Sequence, residues 1–238
     1  MADRREDAAQ DALFREVDEE LRHEQMASLW KKYGGVVIAA ALAIVLSVAG
    51  YQGWQAWQTN VREDEAARYQ AAVTLLEQGD AEAALSRLEA LADDASTGYG
   101  AVAALRGAAL AAERGDAAAA VEAYRAIAGN SAVDPAFRDL ATVLAVLHAM
   151  EGGVENPDAL IAELQPLMDE EDAFRFSAME LTALLSLRQG DESRARDLYA
   201  RIVDSSAAPQ ALRGRAGAML TSLGGAPSAA GDDAGTEG

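Results

Sequence analysis

The sequence predicts an all-α chain, with one membrane-spanning helix near its start followed by an α-solenoid of about four helical hairpins. Three observations predict it. Residues 33–61 carry no charge. A Gly-Asp pair recurs ahead of similar amphipathic segments at Gly79, Gly115 and Gly190. Aromatic residues make up only 5% of the 238 residues while alanine is abundant, so a core must form by close helix packing over small side chains.

The first element is an amphipathic helix within residues 1–33. In DALFREVDEELRHEQMASLW, Leu13, Val17 and Leu21 stand four residues apart with Phe14 alongside. The acidic polar face suits a protein partner, or self-association into a homodimer, better than a lipid surface.

Residues 34–54 form the span. Twenty-one residues measure roughly 31 Å as a helix, against a hydrocarbon core of about 30 Å. Lys31 and Lys32 precede the run, and Tyr51, Trp54 and Trp57 follow it, as at the two interfaces of a bilayer. A buried core helix is the alternative. A cleaved signal peptide is another, with Val36 to Leu46 as its apolar region and Ser47-Val48-Ala49 as its cleavage site. Against it, the leader through Lys32 holds nine acidic residues to six basic ones, a poor match to a basic n-region. Arg15, Arg22, Lys31 and Lys32 outnumber Arg62 and Arg68 beyond the span, which keeps the N-terminus cytoplasmic and sends the remainder outward, in a bacterium to the periplasm. Within the span Gly35, Ala39, Ala43 and Ser47 fall on one stripe, opposite Ile44 and Val48. In lipid such small residues allow close approach of another helix.

Residues 58–223 form the repeat domain. EQGDAEAALSRLEAL, ERGDAAAAVEAYRAI and RQGDESRARDLYARI share Ala84, Ala120 and Ala195 five residues after the glycine. Leu88, Tyr124 and Tyr199 follow at nine, and Leu91, Ile127 and Ile202 at twelve. The glycines lie 36 and 75 residues apart, so a further copy belongs between the last two. EGGVENPDALIAELQPL supplies it, beginning at Gly152 with its helix about three residues late and Pro166 inside. A glycine after a periodic run suits a left-handed C-cap, and the adjacent Asp can cap the next helix. Positions five, nine and twelve then share one face of that helix. Tyr124 and Tyr199 are expected to be buried between hairpins, which stack because none covers its apolar face alone. Helices are expected near 62–78, 81–92, 98–114, 117–128, 135–150, 158–170, 173–189, 192–203 and 209–222. Residues 224–238 are small, polar and acidic, the composition of a disordered tail.

Charge and composition narrow the function. From residue 55 onward 30 acidic residues face 14 basic ones, a balance that repels nucleic acid and anionic membrane surfaces. No cysteine is present, hence no disulfide or thiolate chemistry. The histidines, His23 and His148, have no metal-ligand set around them. The acids Asp93-Asp94 and Glu170-Glu171-Asp172 read as solvated helix ends. No strand precedes the Gly-x-Gly of GYGAVAALRG, and no Ser lies in a Gly-x-Ser-x-Gly setting. No enzyme is expected, and no cofactor or metal.

The Gly, Ala, Tyr and apolar spacing, in a period of 36 to 38 residues, resembles tetratricopeptide-like repeats, though the Trp and Leu-Gly of their first helix are missing. With LFREVDEELRHEQMASLWKKYG leading into a single span, the chain up to about Leu223 resembles the YfgM-like proteins, ancillary subunits of the SecYEG translocon. The resemblance implies an inner-membrane protein whose periplasmic repeat domain binds client proteins beside the translocon, together with a membrane-anchored periplasmic chaperone. The acidic tail and the copy around Pro166 depart from that pattern.

Stacked hairpins usually bind along the concave wall made by their first helices, where Tyr69, Tyr99, Arg106, Phe174 and Arg175 fall. The competing reading makes the aromatics packing residues and the arginines ordinary surface charges. The expected function is an adaptor at the translocon; the alternative is a scaffold for envelope assembly or cell division, and a membrane-tethered enzyme is the remaining reading.

Overall fold

The structure is a computed structural model that describes residues 3–96, 98–153 and 156–224, and the side chains from Trp30 onward. It divides into two units, up to Val61 and from Arg62. Helix α1 is assigned to Asp3–Glu77. The acidic tail beyond Gly224, and the side chains of the Leu13, Val17 and Leu21 stripe, lie outside the described residues.

In the first unit the span is long and apolar enough to cross a membrane. Its large side chains are unpartnered within the chain, Leu46 being 70% exposed. Trp30 lies against Gly34, Lys32 Nζ sits 5.3 Å from the Tyr33 ring centroid, and the Trp54 and Trp57 rings are 5.4 Å apart. Aromatic side chains therefore mark both ends of the apolar run, where headgroups meet hydrocarbon.

In the second unit the end of α1 is followed by α2 (Ala81–Asp94), α3 (Gly98–Glu113), α4 (Ala117–Gly129), α5 (Pro135–Glu151), α6 (Pro157–Leu164), α7 (Arg175–Arg188), α8 (Glu192–Asp204) and α9 (Gln210–Ser222). The Gly-Asp pairs make the hairpin turns. Gly79, Gly115 and Gly190 have φ near +80°, which a β-carbon resists. In each turn the glycine N–H and the following Asp N–H donate back to the preceding helix, as from Gly79 to Leu76 and Asp80 to Leu75. The same aspartate then starts the next helix: Asp80, Asp116 and Asp191 accept from the N–H of Ala83, Ala119 and Arg194 at 3.0–3.1 Å. One residue thus closes one helix and opens another, each cap contributing about 1 kcal/mol.

The third hairpin departs from this. Its left-handed glycine is Gly153, not Gly152, and Asn156 caps α6 through Ala159 N–H. The expected helix 158–170 stops at Leu164 and gives way to a 3-10 turn, Gln165–Met168, because Pro166 lacks the N–H that an α-helix needs there. As a result α6 makes far less contact with α5 than α4 makes with α3.

Four apolar cores run along the domain. Each joins a first helix, the second helix of its hairpin and the next first helix. Ala72, Leu88, Leu91 and Ala103 form one; Ala108, Ala120, Tyr124, Ile127, Ala141 and Ala145 the next. A third gathers Val146, Leu164 and Leu185 around the 3-10 turn, and the last packs Ala183, Ala195, Tyr199 and Ile202 against Leu212 and Ala216 of α9. The three alanines and the Leu or Tyr of the repeat signature are all 0–1% exposed.

Tyr199 has a further property: its hydroxyl is buried with no hydrogen-bond partner among the described residues. Burial, with Glu180 nearby, pushes its pKa up to about 12, and burial also raises that of Tyr124. A tyrosine held neutral in the fold but free to ionise near pH 10 when unfolded stabilises the protein fully below pH 10. That contribution fades as pH rises toward 12. Tyr199→Phe is expected to flatten this alkaline loss and to leave stability at pH 7 equal or slightly higher, since an unpaired hydroxyl is removed. Urea unfolding at pH 7 and pH 11 measures both; a steeper alkaline loss in the variant would contradict the assignment.

Candidate protein-binding groove

The α3 sequence carries two faces. Ala103, Ala108 and Leu110 are buried, while Val102, Leu105, Arg106, Ala109, Ala112 and Glu113 recur at helical intervals on another side. That second side, with Tyr69 of α1, Leu144 and His148 of α5 and the Tyr124 ring below, lines a groove of about 610 Å³. Successive first helices touch one another here, α3 with α5, and farther on α5 with α7 and α7 with α9.

Its polar groups are few. Arg106 donates to Glu113 at 2.6 Å, which holds its guanidinium pKa up, and both line the groove. The His148 ring lies flat on Tyr124, centroids 5.6 Å apart and planes within 2°. Its Nδ1 lies 2.8 Å from a Glu151 carboxylate oxygen, within hydrogen-bond distance. Next to the groove, sharing Val102, a smaller hollow of about 260 Å³ is lined by Arg62, Gly98, Tyr99, Val102 and Phe137. The Tyr69 and Tyr99 rings are 6.1 Å apart, so the two hollows adjoin at an aromatic pair.

Of the residues expected in a binding groove, Tyr69 and Arg106 line it and Tyr99 lines its neighbour. Phe174 and Arg175 are placed otherwise. Phe174 is the N-cap of α7 and packs on the core of α5, α6 and α7. Arg175 lies over the Phe176 ring at 4.4 Å and donates to the Glu170 carbonyl. Both are tied into the loop that the 3-10 turn displaces. Sequence reasoning missed Val102, Leu105, Glu113, Leu144 and His148, although the spacing of the first three along one α3 face was there to be read.

In the span, Ser47 Oγ donates to the Ala43 carbonyl at 2.7 Å, so its hydroxyl is satisfied within the helix. A β-carbon added at Gly35 would meet nothing within 4 Å. Ala39 and Ala43 are exposed alongside.

Stacked helical hairpins with an apolar groove along their first helices define a class of protein-binding scaffold, one that is generally non-catalytic. The chain belongs to the tetratricopeptide repeat-like domain family, whose match covers residues 28–221 and so takes in the apolar segment as well as the hairpins. No curated protein matches it.

Proposed function

We propose that the protein is a non-enzymatic inner-membrane adaptor, anchored by residues 34–54 with its N-terminus in the cytoplasm. Its repeat domain then holds client proteins on the periplasmic side of the SecYEG translocon, in company with a membrane-anchored chaperone. The observation that carries the reading is the apolar groove bounded by Tyr69, Leu105 and Leu144 on a repeat domain that follows a single apolar span. The likeness of the leader and span to YfgM-like proteins gives the translocon as the partner, and the charge asymmetry across the span gives the orientation. Gly35, Ala39, Ala43 and Ser47 are the proposed contact stripe, since bulky residues face lipid more readily than small ones.

A photo-crosslinker at Ala39 or Ala43 is expected to capture a channel subunit in intact cells more efficiently than one at Ile44 or Val48. Equal capture from both faces would remove the oriented contact, and capture of the protein alone would make the stripe a homodimer seam. No channel adduct from the span or the repeat domain would move the assignment to an envelope scaffold.

A further inference from the structure

We propose that the groove takes an apolar polypeptide segment ending in lysine or arginine, its cationic end seated against Glu113 and Glu151. The proposal rests on the reading that this groove binds protein, and adds the chemistry and direction of what enters it.

The two hollows joined at Val102 follow α3 from Tyr99 to Glu113, a path of about 20 Å at 1.5 Å per residue. Between the ends the walls are Val102, Leu105, Ala109, Ala112 and Leu144, which call for apolar side chains. The ends differ in sign. Arg62 stands at the Tyr99 end. At the other end α3 stops at Glu113 and α5 stops at Glu151, so two carboxylates coincide with the negative poles of two helices. Among the described residues Arg106 holds Glu113 through both carboxylate oxygens, at 2.6 and 3.5 Å, and His148 holds Glu151, yet the two acids remain more than half exposed, 55% and 61%. Each carboxylate therefore keeps lone pairs open to further donors.

An acidic end has no such site in the main groove. The cation lining the main groove, Arg106, is already held by Glu113 at 2.6 Å, and an incoming carboxylate would have to break that pair. The acidic excess of the chain beyond the span further draws cationic segments toward it.

The test uses the full-length protein in nanodiscs of zwitterionic lipid, with empty nanodiscs subtracted. Three fluorescent peptides share one leucine-rich stretch and end in Lys-Arg, Ser-Ser or Glu-Glu. In anisotropy titrations at low salt the Lys-Arg peptide is expected to bind about five- to tenfold more tightly than the Ser-Ser peptide, the scale of two exposed ion pairs. The preference for Lys-Arg over Ser-Ser, compared within the same protein, is expected to shrink in 0.5 M salt, and to less than twofold in E113Q/E151Q. A preference that survives E113Q/E151Q overturns the proposal, as does tighter binding of the Glu-Glu peptide. Equal binding of all three peptides, lost in L144D or in L105D if L144D does not fold, overturns the cationic end and leaves the groove standing. Binding indifferent to L144D and L105D removes the groove reading and the proposal with it. Self-association abolished by L144D, without peptide binding, would assign the groove to a second copy and overturn the proposal.

Discussion

Replacing Tyr124 or Tyr199 by alanine is expected to destabilise the protein by about 3–5 kcal/mol, the largest effect of any single truncation in the repeat domain. Tyr124 is 1% and Tyr199 0% exposed, and each occupies the ninth position after its Gly-Asp turn. Each ring fills the space between a second helix and the two first helices flanking it, so its removal opens a cavity bordered by three helices. Around Tyr124 the buried neighbours are largely alanines, too short to reach into the void, while around Tyr199 alanines share the core with Met179, Leu198 and Ile202. For a unit of this size the loss corresponds to a fall in Tm of roughly 6–20 °C. Thermal unfolding of the protein in detergent, followed by circular dichroism, measures it. A fall under about 3 °C in both variants would mean that the helices close over the gap and that the rings are not structural keystones.

The converse substitution is expected to cost nearly as much. Ala120 is 0% exposed and shares its core with Ala108, 2% exposed, so α3 and α4 approach over two methyl groups. Leucine at 120 adds three carbons where none fit and forces the helices apart or the side chain off its rotamer, at about 3 kcal/mol. Urea unfolding gives the number. Ala118→Leu, on the exposed side of the same helix, is the control expected to change stability by less than about 0.5 kcal/mol. Similar costs at both positions would mean that the alanine stripe is not a packing seam.

Most of the fold was legible because its signals are local. A glycine at positive φ followed by a capping aspartate needs only two residues to announce a turn, and it did so at Gly79, Gly115 and Gly190. Apart from α6, the helices between these turns begin and end within a residue or two of the periodic runs. Where two local signals compete, sequence alone could not rank them. The third copy was read as turning at Gly152, and the chain turns at Gly153 instead. Pro166 could have kinked a helix or ended it, and the outcome was a 3-10 turn. The groove was half legible. Tyr69, Tyr99 and Arg106 stand out as large residues on first helices. Leu144 and His148 do not, since only the packing of α5 beside α3 turns them toward the same hollow. Phe174 and Arg175 stand at the start of α7, after the 3-10 turn, and line neither hollow.

The shared cores have a mechanical consequence. Among the described residues every apolar cluster joins only helices adjacent along the array, and none links distant hairpins. A pull on one end therefore loads the interfaces in series, and the array yields hairpin by hairpin where a globular core would rupture at once. Within the third hairpin itself the contact between α5 and α6 is sparse. Each hairpin that peels away releases about 36 residues, or about 120 Å of extended chain. The repeat domain is in that sense a stepped spring, able to lengthen under load while the turns that remain keep their shape.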